Sequence, residues 1–207
     1  MESIKIAGAG VVLGGEYDVI SIAGSGKVKG SVKCNTFKSS GATSIDSEIE
    51  ASVFKASGTI KIEGALKAKE VKLSGAARVE GGIEAESFKV SGSLVVNGDV
   101  NADSVKVSLS NGAFENVYGD EIFINSNGEF LSGYFHSVIK NISVQEIEAT
   151  TICIRDVTAD RISGENVTVE AGCKIGVIEY SKTLNIVTFF HKALRSLETD
   201  TVRQIRP

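Results

Sequence analysis

One spacing constrains this chain more than any other: Ile20, Phe37, Phe54, Val71, Phe88, Val105 and Ile122 follow one another at intervals of 17 residues. No insertion or deletion interrupts the series. A unit of this size cannot bury a core alone, so units must stack, and a fixed period of this kind means a solenoid. Other columns share the register. Four residues after each opening apolar residue stand Gly24, Gly41, Gly58, Gly75 and Gly92. Eight after it stand Val28, Ile45, Ile62, Val79 and Val96; ten after it, Gly30, Ser47, Gly64, Gly81 and Gly98. Twelve after it come Val32, Ile49, Leu66, Ile83, Val100 and Val117. Fourteen after it is a small residue: Cys34, Ala51, Ala68, Ala85, Ala102 or Gly119.

The inward positions fall on even offsets, and alternation of period two is the signature of strands. Both glycine columns predict turns, because only glycine takes positive φ without steric cost. Each unit reads as three short strands separated by bends, stacked in parallel at about 4.8 Å. The expected fold is all-β: a right-handed parallel β-helix of about ten coils with a roughly triangular section, its hand set by the preference of parallel crossovers. Ile4, Gly8, Val12 and Gly14 fit as a first unit that is one residue short.

Composition supports this architecture. Of 207 residues 42% are hydrophobic, and the single proline is the last residue, as suits a backbone whose donors are committed to ladders. A net charge of −4 argues against nucleic acid as partner. Neither a leader peptide nor a membrane-spanning apolar run is expected. Cys34, Cys153 and Cys173 are scattered and odd in number, Cys34 in an alanine-like inward slot, which points to free thiols and the cytoplasm.

The repeat divides the chain into three parts. Residues 1–121 read as a regular β-helix. Residues 122–187 read as its less regular continuation, with an irregular excursion at 125–141. There Phe130, Leu131, Tyr134, Phe135, Val138 and Ile139 have helical spacing and suggest a hydrophobic flap. Leu109, Ala113 and Glu115 break the earlier register, and a five-residue beat takes over at Ile142, Ile147, Ile152, Val157, Ile162 and Val167. Residues 188–207 read as a short helical or irregular tail, with Phe189, Phe190 and Leu194 on an apolar face that caps an end or docks on another subunit.

Candidate chemistry is sparse. Lys38, Lys55, Lys72, Lys89 and Lys106 directly follow the apolar column and form a ladder at one coil spacing. Like charges so close need nearby acids, with Glu50, Glu70, Glu84, Glu86 and Asp103 in reach, or an anionic surface as partner. Gly24-Ser-Gly-Lys-Val-Lys-Gly30 lacks the spacing, hydroxyl residue and helix of a phosphate loop. His136 and His191 stand alone, without metal-ligand spacing. Neither an enzyme, nor a cofactor, a metal or a small-molecule substrate is expected.

The units Phe-Lys-Ala-Ser-Gly (54–58), Val-Lys-Leu-Ser-Gly (71–75) and Phe-Lys-Val-Ser-Gly (88–92) are joined by steps such as Val-Glu-Gly-Gly-Ile-Glu-Ala (79–85) and Val-Asn-Gly-Asp-Val-Asn-Ala (96–102). In these the chain resembles the bactofilins, or polymer-forming cytoskeletal proteins. Gly-Gly-Glu-Tyr-Asp (14–18) and Gly-Cys-Lys-Ile-Gly-Val-Ile-Glu-Tyr-Ser (172–181) are similar to the longer Gram-positive members. The resemblance implies a cytoplasmic scaffold that polymerises end to end without nucleotide, with itself as first partner and the inner membrane face or envelope proteins as further ones. Exposed apolar residues of the first coil, Ile4 and Ile6, join Phe189, Phe190 and Leu194 as candidate assembly residues. The alternative is a non-polymerising adaptor that uses its lysine face or the 125–141 flap.

Overall fold

A computed structural model of the chain describes residues 2–126, 141–187 and 198–205. Nine strands form one parallel sheet in which spatial order equals chain order. They are β1 (Glu2–Ile45), β2 (Ile49–Ile62), β3 (Leu66–Val79), β4 (Ile83–Val96), β5 (Val100–Ser126), β6 (Asn141–Ile154), β7 (Val157–Val169), β8 (Lys174–Ile186) and β9 (Glu198–Gln204). The sheet coils into a β-solenoid of about eight turns, fewer than the ten that chain length suggests. No helix occurs among the described residues. The apolar segments expected to be helical, at 130–139 and 189–197, lie outside them.

Strands this long bend around corners without losing their ladder. The partners between β1 and β2, β2 and β3, and β3 and β4 are all 17 residues apart, so each column of the sequence is a physical stack. Ile20, Phe37, Phe54, Val71, Phe88, Val105 and Ile122 are fully buried one above another. The Phe37 and Phe54 rings stack with centroids 4.9 Å apart and planes within 4°. The small column that includes Ala51, Ala68 and Ala102 is buried where the tube is narrow.

The two glycine columns answer to different causes. Gly24, Gly41, Gly58, Gly75 and Gly92 have φ between 101° and 117°, as turns require. The second column also lies at bends, as expected, but Gly64, Gly81 and Gly98 do not take positive φ there. A β-carbon on Gly64 would stand 2.5 Å from the backbone nitrogen of Glu48, and one on Gly81 would stand 2.8 Å from that of Ala65. Those glycines are needed because one coil touches the next.

The change of period has a structural cause. From Val144 to Ile147, and again from Ile154 to Val157, the chain rounds a corner in three residues, whereas the matching corners Val79 to Ile83 and Leu73 to Ala77 take four. Each glycine corner is one residue longer. Losing both shortens the coil from 17 residues to 15, and Ile142, Ile147 and Ile152 stack on Val157, Ile162 and Val167. Where a glycine returns, so does the length: Gly172, with φ of 80°, lies between Val169 and Cys173, and Ala159 pairs with Ile175 sixteen residues on. The switch starts at Leu109, which opposes Gly92 and turns into the core. The register slips there, Ser93 pairs with Asn111, and Ser110 is the extra residue of a bulge. Its Oγ donates to the Gly92 carbonyl at 3.0 Å.

One expectation needs correction. Residues 198–204 are not helical or irregular but form β9, paired with β8 from Lys174 to Tyr180. Thr199 and Thr201 alternate with Glu198 and Asp200 there, a pattern that suits a half-covered strand.

Candidate functional site

Two surfaces differ from the rest of the tube: one side face and the two ends. On the side, Lys38, Lys55, Lys72 and Lys89 are mutual register partners, and Lys89 pairs on to Lys106. Two residues on, Ser40, Ser57, Ser74, Ser91 and Ser108 form a parallel row. Between the rows runs an open groove of about 670 Å³, its floor including Ala56, Leu73 and Val90. The lysine row ends at Phe123, which is partly exposed and carries the Lys106 ammonium 5.8 Å from its ring centroid.

The acids expected to neutralise this row mostly face elsewhere. Only Glu70 reaches it, at 3.4 Å from Lys55. Glu50 pairs with Lys33 at 2.7 Å, Glu84 with Lys67 at 2.9 Å, and Glu86 with Lys69 at 3.6 Å. Lys33, Glu50, Lys67 and Glu84 are register partners, so that column alternates in sign from coil to coil. The hydrogen bonds and charges of Glu50 and Glu84 hold the Lys33 and Lys67 ammonium groups above the ordinary lysine range.

The ends carry exposed apolar residues. Val11 and Leu13 lie bare in the first coil; Ile186, Val202 and Ile205 do so in the last. Phe123, on the side face, is the one other large hydrophobic of this exposure among the described residues. Ile4 and Ile6 are half-buried against the core of the first coil, so the barer Val11 and Leu13 replace them as its main apolar surface. Phe189, Phe190 and Leu194 lie outside the described residues. At the far end β9 covers β8 only as far as Tyr180. The last coils are tied by Arg161, which bonds Glu146 on one side and Glu179 at 2.6 Å on the other.

No family model, curated protein or solved structure matches this chain. Its geometry therefore carries the functional reading.

Reactive groups are muted. Burial pushes the thiols of Cys34 and Cys173 up to about 11. Cys153 is raised by burial and by the charge of Glu170. Among the described residues no His, Cys, Asp and Glu side chains converge as a metal site would need. The segment 24–30 lies inside β1 and opens no helix, so it cannot cradle phosphate as a helix-bound loop does. His136 and His191 lie outside the described residues.

Sequence reading missed Val11 and Leu13 because they flank the inward Val12 and count as ordinary outward positions. The sequence already places them in the first coil, and the fold adds that they are barer there than Ile4 and Ile6.

Proposed function

We propose that this chain is a structural, polymer-forming scaffold whose tubes join end to end without nucleotide, as its resemblance to the bactofilins implies. The carrying observation is where bare apolar surface lies: Val11 and Leu13 at one end, Ile186, Val202 and Ile205 at the other. A parallel solenoid also presents unpaired backbone donors and acceptors at each terminal coil, a template for another copy. Joined ends would extend the ladder and bury both patches together. A tube that is adhesive at both ends propagates, whether like or unlike ends meet, and does not stop at a dimer. The chemistry needs no bound nucleotide, because the association energy comes from apolar burial and ladder hydrogen bonds.

The resemblance also suggests a place in the cytoplasm at the inner face of the membrane, and a role in organising the envelope. Negative-stain electron microscopy of the purified chain in nucleotide-free buffer tests the assembly. Filaments or sheets one tube wide are expected. Single particles at high concentration would overturn the reading.

A further inference from the structure

We infer that the groove between the lysine and serine rows binds a single extended chain of an acidic polysaccharide, laid along the tube axis. The first ground is an internal contrast. The same tube neutralises its Lys33–Glu50–Lys67–Glu84 column by alternating sign, and pairs Lys61 with Glu63 and Arg78 with Glu80. The groove row holds lysine at five successive coils, and among the described residues one acid, Glu70, pairs with it. In-register like charges repel across neighbouring strands, so a bound anion relieves an unfavourable feature of the free protein.

The second ground is pitch. Neighbouring coils lie about 4.8 Å apart, so the row spans about 19 Å in four equal steps. One sugar of an extended glycan is close to one step in length, so in a two-fold ribbon the acids of alternate sugars face every second lysine and stay in step along the row. An extended acidic peptide presents same-face side chains about every 6.7 Å and falls out of step within two coils. Single-stranded nucleic acid needs aromatic platforms for its bases, and among the described residues this face offers Phe123 alone.

The third ground is shape and chemistry. The recess admits one chain, whereas a flat lipid surface meets its rims. The serine hydroxyls opposite the lysines both donate and accept, as sugar hydroxyls require. Of this row Ser40, Ser57, Ser74 and Ser91 line the groove itself.

The test titrates the whole chain with galacturonate oligomers of increasing length, beside a neutral glucan, anionic phospholipid vesicles and single-stranded DNA. Salt-sensitive binding is expected for the galacturonate series alone, strengthening with length until the oligomer spans the five lysines. Lys72→Glu with Lys89→Glu should weaken it by about tenfold or more, and Lys72→Gln with Lys89→Gln by less, with melting temperatures no lower than wild type. Lys61→Gln, on another face, should leave binding unchanged. No galacturonate binding, binding that survives the double Glu variant, or tighter binding to vesicles or DNA would each overturn the proposal. The groove lies on the side of the tube, so the result does not depend on whether the ends assemble.

Discussion

Gly58 sits directly over the carbonyl of Gly41, so that a β-carbon at residue 58 would run into that oxygen. Gly58 also has φ of 101°. Gly8 has the same φ, but nothing lies within 4 Å of the place its β-carbon would take. The two positions therefore separate backbone strain from contact between coils. Gly8→Ala is expected to cost about 1 kcal/mol from strain alone, and Gly58→Ala about 3 kcal/mol or more. Chemical denaturation of the two variants checks this, and equal losses would mean that the coil-to-coil contact contributes nothing.

Alkaline stability should depend on Cys34. Its thiol ordinarily titrates near 9.0, and burial raises this to about 11 in the folded chain. The folded state therefore holds the proton to higher pH than the unfolded state does. That contribution is complete below pH 9 and is lost as pH rises toward 11. Cys173 acts in the same direction. Melting temperature is thus expected to fall over this window. Cys34→Ala, which places in the column the residue already found at Ala51 and Ala68, should make the fall shallower. An unchanged slope would contradict the assignment.

Arg161 ties together coils that the 15-residue beat brings into register. Its removal leaves Glu179, whose side chain is 14% exposed, with a distant Arg203 at 3.9 Å as its one cationic partner among the described residues. Arg161→Ala is expected to cost about 1–2 kcal/mol. Amide exchange should rise in β8 and β9 while β2 to β4 stay protected, since each coil of a solenoid leans chiefly on its neighbours. Uniform loss of protection would contradict this.

Much of the fold was legible because a solenoid writes its contacts as a period. Phe37, Phe54 and Val71 predict their own stacking, and the five-residue beat from Ile142 to Val167 marks the continuation of the tube with an altered coil. What stayed hidden depends on distances between coils. Gly64 and Gly41 look alike in sequence, yet one is required by closeness to the coil beneath and the other by its φ as well. Glu50 and Glu84 lie near the ladder lysines along the chain, but the residues stacked against them are Lys33 and Lys67. Residues 198–204 were not read as a strand because a single final coil has no partner with which to repeat.

The side groove was legible in its lysines, since a column of identical charges shows in the period. Its concavity, and the scarcity of acids facing it among the described residues, were not, because both depend on how side chains leave the corners.

The central claim is that the tube ends are sticky, and Leu13 measures it most directly, at 65% exposure the barest large hydrophobic among the described residues. The decisive measurement is the mass distribution by analytical ultracentrifugation, in nucleotide-free buffer over a concentration series, of wild type and Leu13→Lys. Wild type should grow in mass with concentration. Leu13→Lys should remain largely unassembled with an unchanged melting temperature, because its side chain is outside the core. A wild-type chain that stays monomeric throughout, or a Leu13→Lys variant that assembles equally well, would contradict the account.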